Sequence, residues 1–124
     1  MQFDQIIFDF DGVIVDSHRI KNKAFYQLFI SHGKKVAKRA LNYHLKNVGK
    51  SRFVKFRFII KNILNERVTK KKLNSFSSKL NLMTLEKIYK LKVSSCLLNF
   101  LRKKNKNLEF YISTGTPQKV IERI

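Results

Sequence analysis

The sequence predicts an α/β fold, with strands of a parallel sheet separated by a helical segment. Three observations carry that prediction. An apolar run, Gln5, Ile6, Ile7 and Phe8, stops at Asp9 with Gly12 just beyond. A second run, Leu108 to Ile112, leads into Ser113, Thr114, Gly115, Thr116 and Pro117. Between the two, apolar residues recur at helical spacing, and no segment shows the alternation of a half-buried strand.

Each element follows from local chemistry. The first run is rich in β-branched and aromatic residues and nearly uninterrupted, as in a buried strand of a parallel sheet. Asp9 and Asp11 are two apart, so in extended backbone both carboxylates leave from one face. They sit just past a strand's carboxyl end, where open α/β sheets gather ligands. Ile20, Ala24 and Leu28, with Phe25 and Phe29, then form a helical stripe that stops at Gly33. Ser51 is placed to cap a helix bearing Val54, Phe58, Ile59 and Ile63, and Thr69 to start one bearing Leu73, Phe76 and Leu80. Cys96 to Leu101, followed by Lys103 and Lys104, reads as the helix that feeds the second strand, with Cys96 as a small core residue. Thr116 and Pro117 read as an N-cap and a first-turn proline, and the helical rhythm continues to Ile124.

Two carboxylates held this close repel each other, so the pair needs a shared proton or a bound cation. No Cys or His adjoins Asp9 and Asp11, which favours a hard, oxygen-seeking ion, and Mg2+ fits. The competing reading is an acidic turn, since Asp and Gly are common turn residues. At the second strand's end, hydroxyls and the free N–H groups of a helix start suit an anion.

Asp9-Phe10-Asp11-Gly12-Val13, with Asp16 and Ser17 after it, resembles the first motif of the haloacid dehalogenase superfamily of phosphohydrolases. The resemblance is to the branch containing phosphoglycolate phosphatase and β-phosphoglucomutase. It implies a three-layer, Rossmann-like parallel-sheet core with an inserted helical cap: residues 1–16 as first strand and nucleophile loop, 17–93 as cap, and 94–124 as core helix, second strand and helix start. It also implies that Asp9 is a nucleophile forming an aspartyl-phosphate, that Asp11 is the general acid/base, and that both serve an Mg2+ site. The stretch Ser113 to Thr116 resembles the second motif and assigns phosphate binding to Thr114 and Gly115, with Ser113 as the alternative to Thr114. Within the cap, Val48-Gly49-Lys50-Ser51-Arg52 resembles the specificity loop, making Arg52 a substrate-positioning residue; the competing reading puts Arg52 and Lys55 on a solvated helix face. The implied activity is Mg2+-dependent hydrolysis of a small phosphorylated metabolite, with a sugar phosphomutase as the alternative.

The family's third and fourth motifs lie beyond the second, and this chain stops about one helix turn after it. The expectation is therefore an N-terminal portion, inactive as a phosphatase on its own. His18, His32 and His44 lack metal-ligand spacing and read as surface or core residues. The first apolar run is too short for a membrane span, and its aspartates exclude a signal-peptide core, so a cytoplasmic location with no membrane partner is expected. The net charge of +19 raises a second class, a basic nucleic-acid-binding module. Its cations are spread along the chain, with only Lys70-Lys71-Lys72 and Arg102-Lys103-Lys104 as short runs and no recognition motif beside them, so no specific nucleic acid is expected.

Overall fold

The computed structural model describes residues 3–103 and 107–123. Lys104 and Ile124, which the sequence places in or beside helices, lie outside them. In chain order the elements are β1 (Gln5–Asp9), α1 (His18–Phe29), a 3-10 turn (Ile30–His32), α2 (Lys34–Lys46), α3 (Arg52–Asn62), α4 (Lys70–Tyr89), α5 (Ser95–Arg102), β2 (Glu109–Ser113) and α6 (Gln118–Ile121). This is the α/β class expected, with β1 and β2 parallel and a helical segment between them. The register pairs Gln5 with Glu109 and Asp9 with Ser113, so the two strands end side by side.

The helix starts follow their caps. Ser51 Oγ accepts from the Phe53 N–H at 3.3 Å and Thr69 Oγ1 from the Lys72 N–H at 3.2 Å, as the sequence suggested. Ser94 caps α5 in the same way, accepting from the Leu97 N–H at 3.1 Å. Gly33, with φ 101°, turns the chain from the 3-10 segment into α2, a helix the sequence did not announce. That helix buries Ala37, Ala40 and His44, small or polar residues that leave no bulky apolar stripe.

The main core lies within the four central helices. Phe25 and Phe29 of α1 meet Phe56 of α3 with ring centroids 5.5 and 6.4 Å apart, and Phe76 of α4 lies 5.0 Å from Phe29. Ala37, Ala40, Ile59, Ile60, Leu73 and Leu80 close around them. Val54 and Phe58, expected in the core, are exposed, because α3 turns Phe56, Ile59 and Ile60 inward and these two lie on its opposite face. Phe58 stacks instead on Tyr43 at 3.8 Å. A second cluster of Phe10, Val15 and Ile88, with Ile20, Leu91 and Ile121 against it, ties the loop after β1 to the end of α4 and to α6.

On the sheet, Phe8 packs against Phe110 and against Phe100 of α5, covering one face. Ile7 and Tyr111 on the other face are 66% and 49% exposed. The expectation of a strand buried on both faces therefore fails for β1, since no described residue covers that second face. Cys96 is also exposed rather than in the core; α5 turns Leu97 and Leu101 partly inward and leaves the thiol outside. Among the described residues, no helix is long and apolar enough to cross a membrane.

Candidate active site

The end of β1 builds one wall of the site. After Asp9 the chain makes a tight loop in which the Gly12 N–H donates to the Val15 carbonyl at 2.8 Å, and the Ile14 N–H to the Phe10 carbonyl at 3.0 Å. The loop requires φ 81° at residue 12, in the left-handed region that glycine enters at little cost. It projects Asp11 toward α1. There the Asp11 Oδ1 accepts from the buried Ser17 hydroxyl and Oδ2 from Lys21 Nζ at 2.5 Å. Lys21 also donates to Thr116 Oγ1 at 2.9 Å, so one ammonium of α1 joins the loops that follow β1 and β2.

The loop after β2 supplies Gly115 and Thr116. Thr116 does not cap α6 as the sequence suggested: that helix begins at Gln118 with Pro117 before it, and the buried Thr116 hydroxyl is taken by Lys21. Thr114 Oγ1 accepts from the Thr116 N–H at 3.2 Å. A Cβ on Gly115 would lie 3.2 Å from the Gly49 carbonyl, tighter than ordinary contact, so glycine lets this loop close on the Gly49–Lys50 segment before α3.

The helical segment builds the opposite wall. Arg52 is buried, and its Nη1 donates to Asn81 Oδ1 of α4 at 2.5 Å and, more weakly, to Ser77 Oγ at 3.5 Å. Lys55 is buried one turn on, with Nζ 3.2 Å from His44 Nδ1. Neither belongs to a solvated helix face. His44 in turn places Nε2 3.1 Å from Asn22 Oδ1, and Phe25 stacks on its ring at 4.0 Å. An ammonium can only donate, so Nδ1 accepts and the proton sits on Nε2: a neutral imidazole bonded on both sides. Burial, reinforced by the charges of Lys55, Lys21 and His18, holds the His44 pKa down at about 4. Burial likewise pushes the Lys21, Arg52 and Lys55 pKa values down, and Asp11 opposes the shift in each case.

Between these walls lies a cavity of about 180 Å3. It brings together four residues singled out from the sequence, Asp9, Asp11, Arg52 and Gly115. Thr114 is not on its surface and lines a second cleft with Ile112 and Gln118. Lys21, His44, Lys55 and Thr116 also line the cavity, and no sequence motif marks them as site residues. The signal that could have found three of them is positional. Lys21 continues the α1 stripe of Ala24, Phe25 and Leu28, His44 continues Ala37 and Ala40, and Lys55 sits beside Phe56 and one turn before Ile59. A polar residue on an apolar stripe is either satisfied inside or faces a cavity.

For a cation, the donor on offer is the exposed Asp9 carboxylate, since the Asp11 carboxylate is engaged by Ser17 and Lys21. Among the described residues, no three His, Cys, Asp or Glu side chains cluster as metal ligands. That donor set suits Mg2+, a hard ion that keeps most of its waters and accepts one or two protein oxygens. For an anion the cavity is better equipped: among the described residues that line it, Lys21, Lys50, Arg52 and Lys55 stand against two carboxylates, Asp9 and Asp11.

No family model matches the chain, and no curated protein matches it. Its structure is similar to the crystal structure of a hydrolase from Pseudomonas syringae, with a TM-score of 0.70 and 18% sequence identity over 98% of this chain and 54% of that one. At that identity the likeness establishes the fold: an α/β chain with a helical insertion, spanning about half the length of that hydrolase.

Proposed function

We propose that the chain is the nucleophile-bearing part of a haloacid dehalogenase-like phosphohydrolase acting on a small phosphomonoester. The observation that carries this reading is the position of Asp9 and Asp11 at the carboxyl end of β1, facing a cavity whose far wall is cationic. The fold shared with a hydrolase supports it.

In the proposed reaction an Asp9 oxygen attacks phosphorus, the bond from phosphorus to the leaving oxygen breaks, and Asp11, having taken up one proton from solvent, delivers it to that oxygen. Water then attacks the aspartyl-phosphate, Asp11 takes the proton of the water, the bond to Asp9 breaks, and inorganic phosphate leaves. Arg52 and Lys55 face the non-transferring part of the substrate from the helical wall. Thr114 orders the loop after β2 through its bond to the Thr116 N–H, and Gly115 lets that loop approach the helical segment. Mg2+, held by the Asp9 carboxylate and the Asp11 carbonyl with waters completing its shell, would offset the repulsion between phosphoryl oxygens and the two carboxylates.

The test has an arm that needs no turnover. Beryllium fluoride caps a nucleophilic carboxylate as a tetrahedral mimic of a phosphoryl group. With Mg2+ present, 19F NMR should show a bound species that Asp9→Asn removes. Where p-nitrophenyl phosphate or a sugar phosphate is turned over, Asp9→Asn should abolish the rate and Asp11→Asn should lower it by about two to four powers of ten. A bound species or a rate that survives Asp9→Asn refutes the mechanism.

A further inference from the structure

A phosphoryl group on Asp9 must lie between the loops that leave β1 and β2, because Asp9 and Ser113 end those strands side by side. Among the described residues, one cation is hydrogen-bonded to both loops. Lys21 Nζ holds Asp11 Oδ2 at 2.5 Å and Thr116 Oγ1 at 2.9 Å, reaching in from α1 rather than from either loop. An ammonium has three N–H donors, so one remains for the cavity that Lys21 lines. We propose that Lys21 is the cation that takes the transferring phosphoryl group, and that it does so by leaving Asp11.

The exchange follows from the charges around it. Among the described residues, Asp11 is the carboxylate in direct ion pair with Lys21, whose side chain is only 17% exposed. Arg52 and Lys55 line the same cavity, and among the described residues their hydrogen-bond partners are neutral, Asn81 and Ser77 for one and His44 for the other. A phosphoryl group brings more negative charge than one carboxylate into the cavity that all three cations line. Lys21 therefore transfers to the phosphoryl oxygens. Asp11 keeps the Ser17 hydroxyl on Oδ1 and turns Oδ2, the oxygen Lys21 vacates, to the leaving group. Asp11 is thereby presented for proton transfer only when a phosphoryl group is in place. This role for Asp11 rests on the phosphohydrolase reading; the anchoring of an anion by Lys21 does not.

The probe is inorganic phosphate, titrated at constant ionic strength into the full chain labelled with 13C at lysine Cε. The Lys21 resonance, assigned from Lys21→Arg, should move along the binding isotherm, while Lys72 and Lys90, paired on the surface with Glu66 and Glu86, should not. Lys21→Met should weaken phosphate binding on the order of ten- to a hundredfold, the usual effect of removing one hydrogen bond to a charged group, and Lys21→Arg should restore most of it. Should Lys21→Met fail to fold, the wild-type titration decides alone. Phosphate that binds without moving the Lys21 resonance, or binds Lys21→Met equally well, overturns the proposal, and so does a folded wild-type chain that binds no phosphate. Asp9→Asn separates the two readings. It should tighten phosphate binding by removing a facing carboxylate. If it has no effect while Lys21 responds in full, the anchor stands and the nucleophile falls.

Discussion

His44 makes the stability of this chain depend on pH in a direction opposite to that of most histidine ion pairs. Its imidazole is buried, stacked on Phe25, and bonded to Lys55 and Asn22 as the neutral tautomer. In the folded chain it takes a proton at about pH 4, and in the unfolded chain near the ordinary 6.5. Between those values the unfolded state binds more protons, so unfolding free energy rises with pH. The contribution is complete above pH 6.5 and is lost as pH falls toward 4. At about 1.4 kcal/mol per pH unit, acidification from pH 7 to pH 5 removes about 2 kcal/mol, and the full separation is worth about 3 kcal/mol. The perturbation is His44→Gln, which puts a side chain there that stays neutral throughout. Carboxylates also titrate as pH 5 is approached, so the quantity to compare is the loss in each protein, measured by urea unfolding followed by circular dichroism. The variant is expected to be less stable than wild type at pH 7 by about 1 kcal/mol, through the lost stacking, and to lose about 2 kcal/mol less than wild type on going to pH 5. Equal losses in the two proteins would show that His44 is not held neutral by its surroundings, and the reasoning would fail.

Two further substitutions probe the walls of the cavity. Arg52→Met removes a buried guanidinium whose hydrogen-bond partners among the described residues are neutral, so it should raise unfolding stability on the order of 1 kcal/mol while weakening phosphate binding, a trade that urea unfolding and phosphate titration of one variant detect together. Gly12→Ala forces a Cβ onto a residue at φ 81° and to within 2.4 Å of His18 Nε2, so it should cost about 1–2 kcal/mol in thermal or urea unfolding, with a shifted His18 resonance in NMR.

How much of this was legible in the sequence depended on whether a segment declared itself locally. The strands did, because runs as apolar as Gln5–Phe8 and Leu108–Ile112 have few other uses, and their parallel pairing is what the long helical insertion demands. Ser51 and Thr69 announced α3 and α4, since a capping hydroxyl acts on N–H groups two or three residues away. What failed was what depends on distant partners. Thr116 looked like a cap by the same local rule, but Lys21, 95 residues earlier, claims its hydroxyl. Val54 and Phe58 looked like core, yet the side of α3 that turns inward is set by the rings of α1 and α4.

The site follows from the same distinction, and it has a simple geometric origin. Lys21 lies on the inward face of α1 ahead of Ala24, Phe25 and Leu28; His44 ends the inward face of α2; and Arg52 and Lys55 begin the inward face of α3 ahead of Phe56, Ile59 and Ile60. On each helix the apolar stripe gives way to polar residues at one end, and the three ends meet where the loops after β1 and β2 arrive. Cations at such positions lose water without gaining full charge partners, which costs stability. Selection for folding alone would replace them with Leu or Met, as Leu80 fills the neighbouring inward position on α4. Three cations kept inside, against the two carboxylates on β1 and its loop, make sense together when an anion completes the arrangement. The loops could have been read from Asp9 and Gly115 alone, but the helical wall could not, because a lysine on an apolar stripe acquires meaning only once the fold shows what it faces.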